Sequence, residues 1–214
     1  MFLWQNSGRR TDNPPGRRAS GRKAFSLVEL LIVLALIITL TTLMWSHSSG
    51  NYQRTQKELC QDNLQKCYMA LQIFANDHDG RLPAATDAQN AETPLSQLVP
   101  RYSADTTIFI CPGSKDAPLP SGVGFEQRKI SYAYYMGRQL TGAAAALMSD
   151  RQVDTSAKAA GQPLFSATGK PPGDNHSKFG GNVLFTDGHA EFSPAAAAFA
   201  LPLGDGVVLL NPRP

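Results

Sequence analysis

The feature that most constrains this chain is an apolar run of 21 residues from Phe25 to Trp45. It is interrupted by one charged side chain, Glu29. As a helix the run would be about 30 Å long, which matches the hydrocarbon thickness of a bilayer. Trp45 closes it where an interfacial aromatic is expected. Glu29 is the anomaly. A carboxylate within lipid costs roughly 2–3 kcal/mol or more unless a cation meets it, so an intramembrane acid points to function. No basic residue lies within the run. A chain cut immediately before Phe25 would carry a new α-amine one helical turn from Glu29.

Charge is distributed around this run unevenly. Residues 1–24 hold six basic side chains (Arg9, Arg10, Arg17, Arg18, Arg22 and Lys23) against the single acid Asp12, a local charge of +5. The remaining fourteen basic and sixteen acidic side chains leave −2, within a total of +3. The body of the chain therefore has no electrostatic footprint for nucleic acid. The basic segment, with Pro14, Pro15 and few apolar residues, reads as a cytoplasmic leader of disordered composition. Positive charge before the run predicts a cytosolic N-terminus and a translocated remainder, on the side where disulfides are permitted.

After Ser46–Asn51 helical periodicity resumes. Cys60, Leu64, Cys67, Leu71 and Phe74 recur at spacings of four and three, one apolar stripe of an amphipathic helix. The polar break at Ser48-Ser49-Gly50 is a place to bend or loosen the helix. Gly80, with Pro83 beyond it, is a stop signal. Asp77 and Asp79 beside that glycine fall short of the six to eight oxygens calcium prefers, so they read as a cap and turn.

Beyond residue 80 the apolar pieces become short and are punctuated by turn residues: "TTIFICP", "ISYAYYMG", "ALMSD", "NVLFTDGHAEF" and "GVVLL". These predict strands, with Asp187-Gly188 as a tight type I′ hairpin turn. "AAAAFA", residues 195–200, predicts a short helix, and Ala143–Gly173 a strand near Leu147 followed by a long loop. The fold class is α+β: a long helix, its first half apolar enough to span and its second half amphipathic, packed on a small antiparallel sheet.

Chemistry-bearing residues are few. Cys60 and Cys67 sit seven apart on one helix, about 10 Å between Cα atoms, beyond the reach of a disulfide. An intramolecular bridge must then use Cys111 with one of them, and three unpaired core thiols is the alternative. No CxxC pair or matching histidine pair signals zinc, so no metal and no cofactor are expected. Asp150, His176, Asp187 and His189 form the one candidate catalytic or metal-binding group, although each aspartate also has a structural role available, at a strand end or in a turn. No GxSxG elbow accompanies them, and an enzyme is not expected.

Two blocks of sequence carry a resemblance. Lys23-Ala24-Phe25-Ser26-Leu27-Val28-Glu29 followed by the apolar run resembles the N-terminal signature of type IV prepilins and type II secretion pseudopilins. That resemblance implies cleavage between Ala24 and Phe25 by a prepilin peptidase, N-methylation of Phe25, and Glu29 contacting the N-terminus of an adjacent subunit. The family commonly has glycine where this chain has Ala24. The C-terminal half, "ICPGSK", "SYAYYMG", "LMSDR" and "NHSKFGGNVLFTDGHAEF", resembles pilin-like proteins marked by a histidine at fixed distance from Asp-Gly. Here these are His176, Asp187 and Gly188, with ten residues between His176 and Asp187, one more than usual, predicting an extended loop around Lys178–Gly181.

The resemblance implies a pilin-like fold and four segments: a leader over 1–24, a transmembrane assembly helix over 25–46, the amphipathic half over 47–80 and a β-rich periplasmic head over 81–214. It also implies a Cys60–Cys111 disulfide, with Cys67 a buried thiol. The function implied is that of a pseudopilin, a structural subunit of a type II secretion pseudopilus, held in the inner membrane as a single pass before assembly. Partners implied are prepilin peptidase, other pseudopilin subunits, the inner-membrane assembly platform and lipid, and no nucleic acid. A type IV pilus or competence pilin is the alternative within the class. A membrane-tethered periplasmic binding module or hydrolase with a prepilin-like anchor is the alternative outside it.

Overall fold

The computed structural model describes residues 26–125, 127–140 and 142–214, and the side chains of residues 45–51 and 53 are not described. The leader, Ala24 and Phe25 lie outside the described residues. The chain divides into two compact units between Ser46 and His47. Its longest element, α1, is an α-helix over Leu27–Asp77, the one long helix expected, and helical structure continues through Ser48-Ser49-Gly50.

In the first unit, Leu27–Met44 forms 18 residues of helix with mean hydropathy 2.6, none of it buried by the chain. It is long and apolar enough to cross a membrane. Its threonines do not add unsatisfied polar groups: the Thr39, Thr41 and Thr42 hydroxyls donate to carbonyls three or four residues back, at 2.8–3.0 Å. This is how a hydroxyl is accommodated in hydrocarbon.

The second unit is an α+β domain. Five antiparallel strands, β1 (Tyr132–Met136), β2 (Ala146–Asp150), β3 (Gly181–Phe185), β4 (Ala190–Ser193) and β5 (Val208–Leu210), lie in the order β4-β3-β2-β1-β5. The first four form a meander, and β5 returns to pair with β1. The stripe on α1 packs as its spacing predicted: Cys60, Leu64, Cys67 and Leu71 are fully buried and Phe74 nearly so. They share a core with Tyr132, Tyr134, Leu184 and Leu210. The alternate residues Ala133, Tyr135, Val183 and Leu209 face a second apolar layer with Leu164, Phe165, Ala197 and Leu201, supplied by the long connections around the sheet. Both faces of the sheet are thus covered, which is why β1 and β2 are buried along almost their whole length instead of alternating.

α1 ends with Asp79 and Gly80 at positive φ (54° and 79°), and the Gly80 N–H donates to Ala75 O at 2.8 Å. Asp77 accepts from Arg101 at 2.9 Å and from Tyr102 at 3.3 Å, so it is occupied without calcium. Three local expectations are corrected. "TTIFICP" is a 3-10 turn over Thr106–Phe109, because the Asp105 side chain caps the Thr107 N–H at 2.9 Å and turns the backbone. Residues 195–200 form no helix: Ala197 N donates to Gln162 O, and Ala196 bridges to Pro163, so pairing with the long loop replaces helical bonds. The β3–β4 hairpin has a three-residue loop. Phe185 pairs with His189, Gly188 N donates to Phe185 O, and positive φ occurs at Gly188 (89°) but not at Asp187, as a type I′ turn would require.

Candidate functional site

Four buried side chains from four separate segments converge beneath α1: Cys60, Cys111, Asp150 and His176. One ligand atom from each lies within 4.8 Å of all the others. Each position follows from its element. Cys60 is on the inward stripe of α1. Cys111 closely follows the 3-10 turn at Thr106–Phe109. Asp150 ends β2, and His176 lies in the turn leading to β3, where Phe179 N donates to His176 O at 3.1 Å.

The contacts form a connected set. His176 Nε2 is 3.2 Å from Asp150 Oδ2 and 3.4 Å from Cys111 Sγ. Cys60 Sγ is 3.2 Å from Asp150 Oδ1. Two amide donors hold the carboxylate from outside: Asn175 Nδ2 to Oδ1 and the Asn182 backbone N–H to Oδ2, both at 2.7 Å. Gly113 is part of the same packing. A β-carbon there would meet His176 Nδ1 at 2.5 Å and Asn175 O at 2.7 Å, so the Cys111–Ser114 loop can approach the imidazole only with glycine at this position.

Burial and pairing act in opposite senses here. Burial pushes the Cys60 thiol well above the ordinary cysteine range and raises Cys111 as well. Burial alone would lower His176, but the Asp150 carboxylate beside it outweighs that and holds the imidazolium up to about 10. For Asp150, burial is likewise outweighed by His176, Asn175 and Asn182, which keep its carboxyl below the usual range. These directions favour an imidazolium–carboxylate pair beside two neutral thiols.

The sequence grouping of Asp150, His176, Asp187 and His189 separates into two pairs at opposite ends of β3. Asp150 binds the N–H of Asn182 near its start. Asp187 lies past its end, exposed in the hairpin, where its Oδ1 meets His189 Nδ1 at 2.5 Å. Gly188 has a packing role: a β-carbon there would meet the Tyr68 ring of α1 at 2.6 Å, and the Tyr68 hydroxyl donates to Thr186 O at 3.1 Å. The Asp-Gly motif thus docks the hairpin tip on the helix. All three cysteines are free thiols, with the Cys60 and Cys111 sulfurs within 4.8 Å in the cluster. Cys67 stands apart and donates to Ile108 O at 3.4 Å.

Sequence reasoning placed Asp150 and His176 in one group and the two cysteines in another. The signal that joins them is the Cys60 position on the inward stripe, which points a sulfur at the sheet where β2 ends. Beside the cluster, sharing Asn175, opens a cleft of about 630 Å³ lined by Lys115, Lys129, Arg151 and Lys170, with Asp116 among them. Asp116 pairs with Arg151 at 3.1 Å and Lys129 at 3.3 Å. Comparison with known proteins returns no matching family model, no matching curated protein and no matching solved structure.

Proposed function

We propose that this chain is a pilin-like filament subunit, a pseudopilin of a type II secretion pseudopilus, stored in the inner membrane by Phe25–Trp45 and assembled after removal of residues 1–24. The observation that carries the reading is the stretch Leu27–Met44: an apolar helix uncovered on every side, with Glu29 in its first turn as its one charged residue. A plain anchor has no use for that acid. A subunit that meets a neighbour's α-amine does, because the new ion pair offsets the desolvation of both groups and fixes axial register. The outward face of the same helix farther on carries Leu59, Met69 and Ile73, about half exposed, apolar surface available to adjacent helices. The positive leader supports a cytosolic N-terminus and a periplasmic α+β domain.

Mass spectrometry of the mature N-terminus tests the reading. The expected result is a chain beginning at N-methylated Phe25. An intact Met1 start, or a cut near Ser48, would overturn it. A second reading, a membrane-tethered binding module, is favoured by one observation, the lysine-rich cleft beside Asn175. Under that reading the N-terminus would remain unmethylated.

A further inference from the structure

We infer that Cys60, Cys111, Asp150 and His176 form a structural site for one divalent zinc ion, holding α1, the Cys111 loop, the end of β2 and the turn before β3 together. The inference stands independently of the filament reading.

The donor set is two sulfurs, one imidazole nitrogen and one carboxylate oxygen, the mixture that a borderline-soft d¹⁰ cation accepts in tetrahedral geometry. With bonds of about 2.0–2.3 Å, a zinc tetrahedron has ligand-to-ligand edges of roughly 3.3–3.8 Å. With Asp150 Oδ2 as the carboxylate ligand, three edges measure 3.2, 3.4 and 3.4 Å, and all lie within 4.8 Å. The ligands already sit at nearly the spacing the ion requires. All four are buried, and four protein ligands close the shell, which fits a structural ion and leaves no position for a substrate.

The surroundings are those of a metal centre. Asn175 and the Asn182 N–H orient the carboxylate from behind. The backbone amides of Gly113 and Ser114 face the Cys111 sulfur. Binding displaces three protons, one from each thiol and one from His176 Nε2, and leaves Nδ1 protonated. Joining Cys60 to Cys111 as a disulfide would remove two of the four ligands, so the bridge and the ion exclude each other.

The test uses the full chain, purified in detergent from membranes of cells grown with added zinc sulfate. Elemental analysis should find about one zinc per chain, and alkylation under denaturing, chelating conditions should label all three cysteines. Exchange of zinc for Co²⁺ should give the visible bands of a tetrahedral site with sulfur-to-cobalt charge transfer. The double variant Cys60→Ser, Cys111→Ser should lose the ion. If that variant fails to fold, the cobalt spectrum of the unaltered chain decides. Trace metal only, a Cys60–Cys111 disulfide in peptide mapping, a cobalt spectrum without sulfur charge transfer, or zinc retained in the folded double variant would each overturn the inference.

Discussion

Glu29 and Gly188 show how much a single residue can imply. Glu29 stands in the first turn of α1 in an otherwise uncharged apolar stretch. If its role is to pair with a neighbour's amine, Glu29→Ala should leave peptidase cleavage intact and sharply reduce recovery of the chain in sheared filament fractions. Normal filament recovery from that variant would sink the register role. Gly188 is constrained twice, by φ of 89° and by the Tyr68 ring 2.6 Å from any added β-carbon. Gly122 is constrained once, with φ of 67° and open space around it. Gly188→Ala should therefore lower stability by about 1–3 kcal/mol, and by more than Gly122→Ala. Urea midpoints compare the two, and equal losses would show that the contact with Tyr68 is unimportant.

Among elements, the helix and strands followed from pattern while the connections did not. The stripe from Cys60 to Phe74 is legible because burial at every third or fourth residue has one cause, a helix lying on a core. Strands β1 to β5 were legible as short apolar runs between turn residues. The failures at Thr106–Phe109 and at 195–200 share a reason. In both, hydrogen bonds from outside the segment decide its backbone: the Asp105 cap in the first, the loop at Gln162 and Pro163 in the second. Local propensity cannot report such partners. The hairpin loop was one residue longer than expected because Asp187 keeps an ordinary φ and only Gly188 turns left-handed.

At the scale of the whole domain, Glu92 ties the C-terminal segment into the core. Its carboxylate accepts from the N–H of Arg213 at 3.0 Å and of Ile130 at 3.1 Å. Burial raises its pKa above the usual value of 4.5, and the backbone donors recover only part of that. The folded state therefore binds this proton more tightly than the unfolded one. Stability contributed here is present below the unfolded value of 4.5 and is lost as pH rises through the raised folded value. Glu92→Gln should flatten that slope in urea unfolding measured from pH 4 upward by circular dichroism. An identical pH dependence in both proteins would contradict it.

The sequence alone determined what depends on neighbours along the chain: an apolar helix with one acid, an amphipathic continuation, and five strands with their turn residues. Tertiary structure decided what depends on register and path. The second apolar layer needs the long connections to fold back over the sheet, and no periodicity in those connections announces it. Cys60, Cys111, Asp150 and His176 lie far apart in sequence, without the close ligand spacing by which zinc sites are read. They meet because α1 turns its stripe inward, β2 ends where β3 begins, and Gly113 admits the imidazole. Each of those conditions is ordinary by itself, and the site exists only where all are satisfied together.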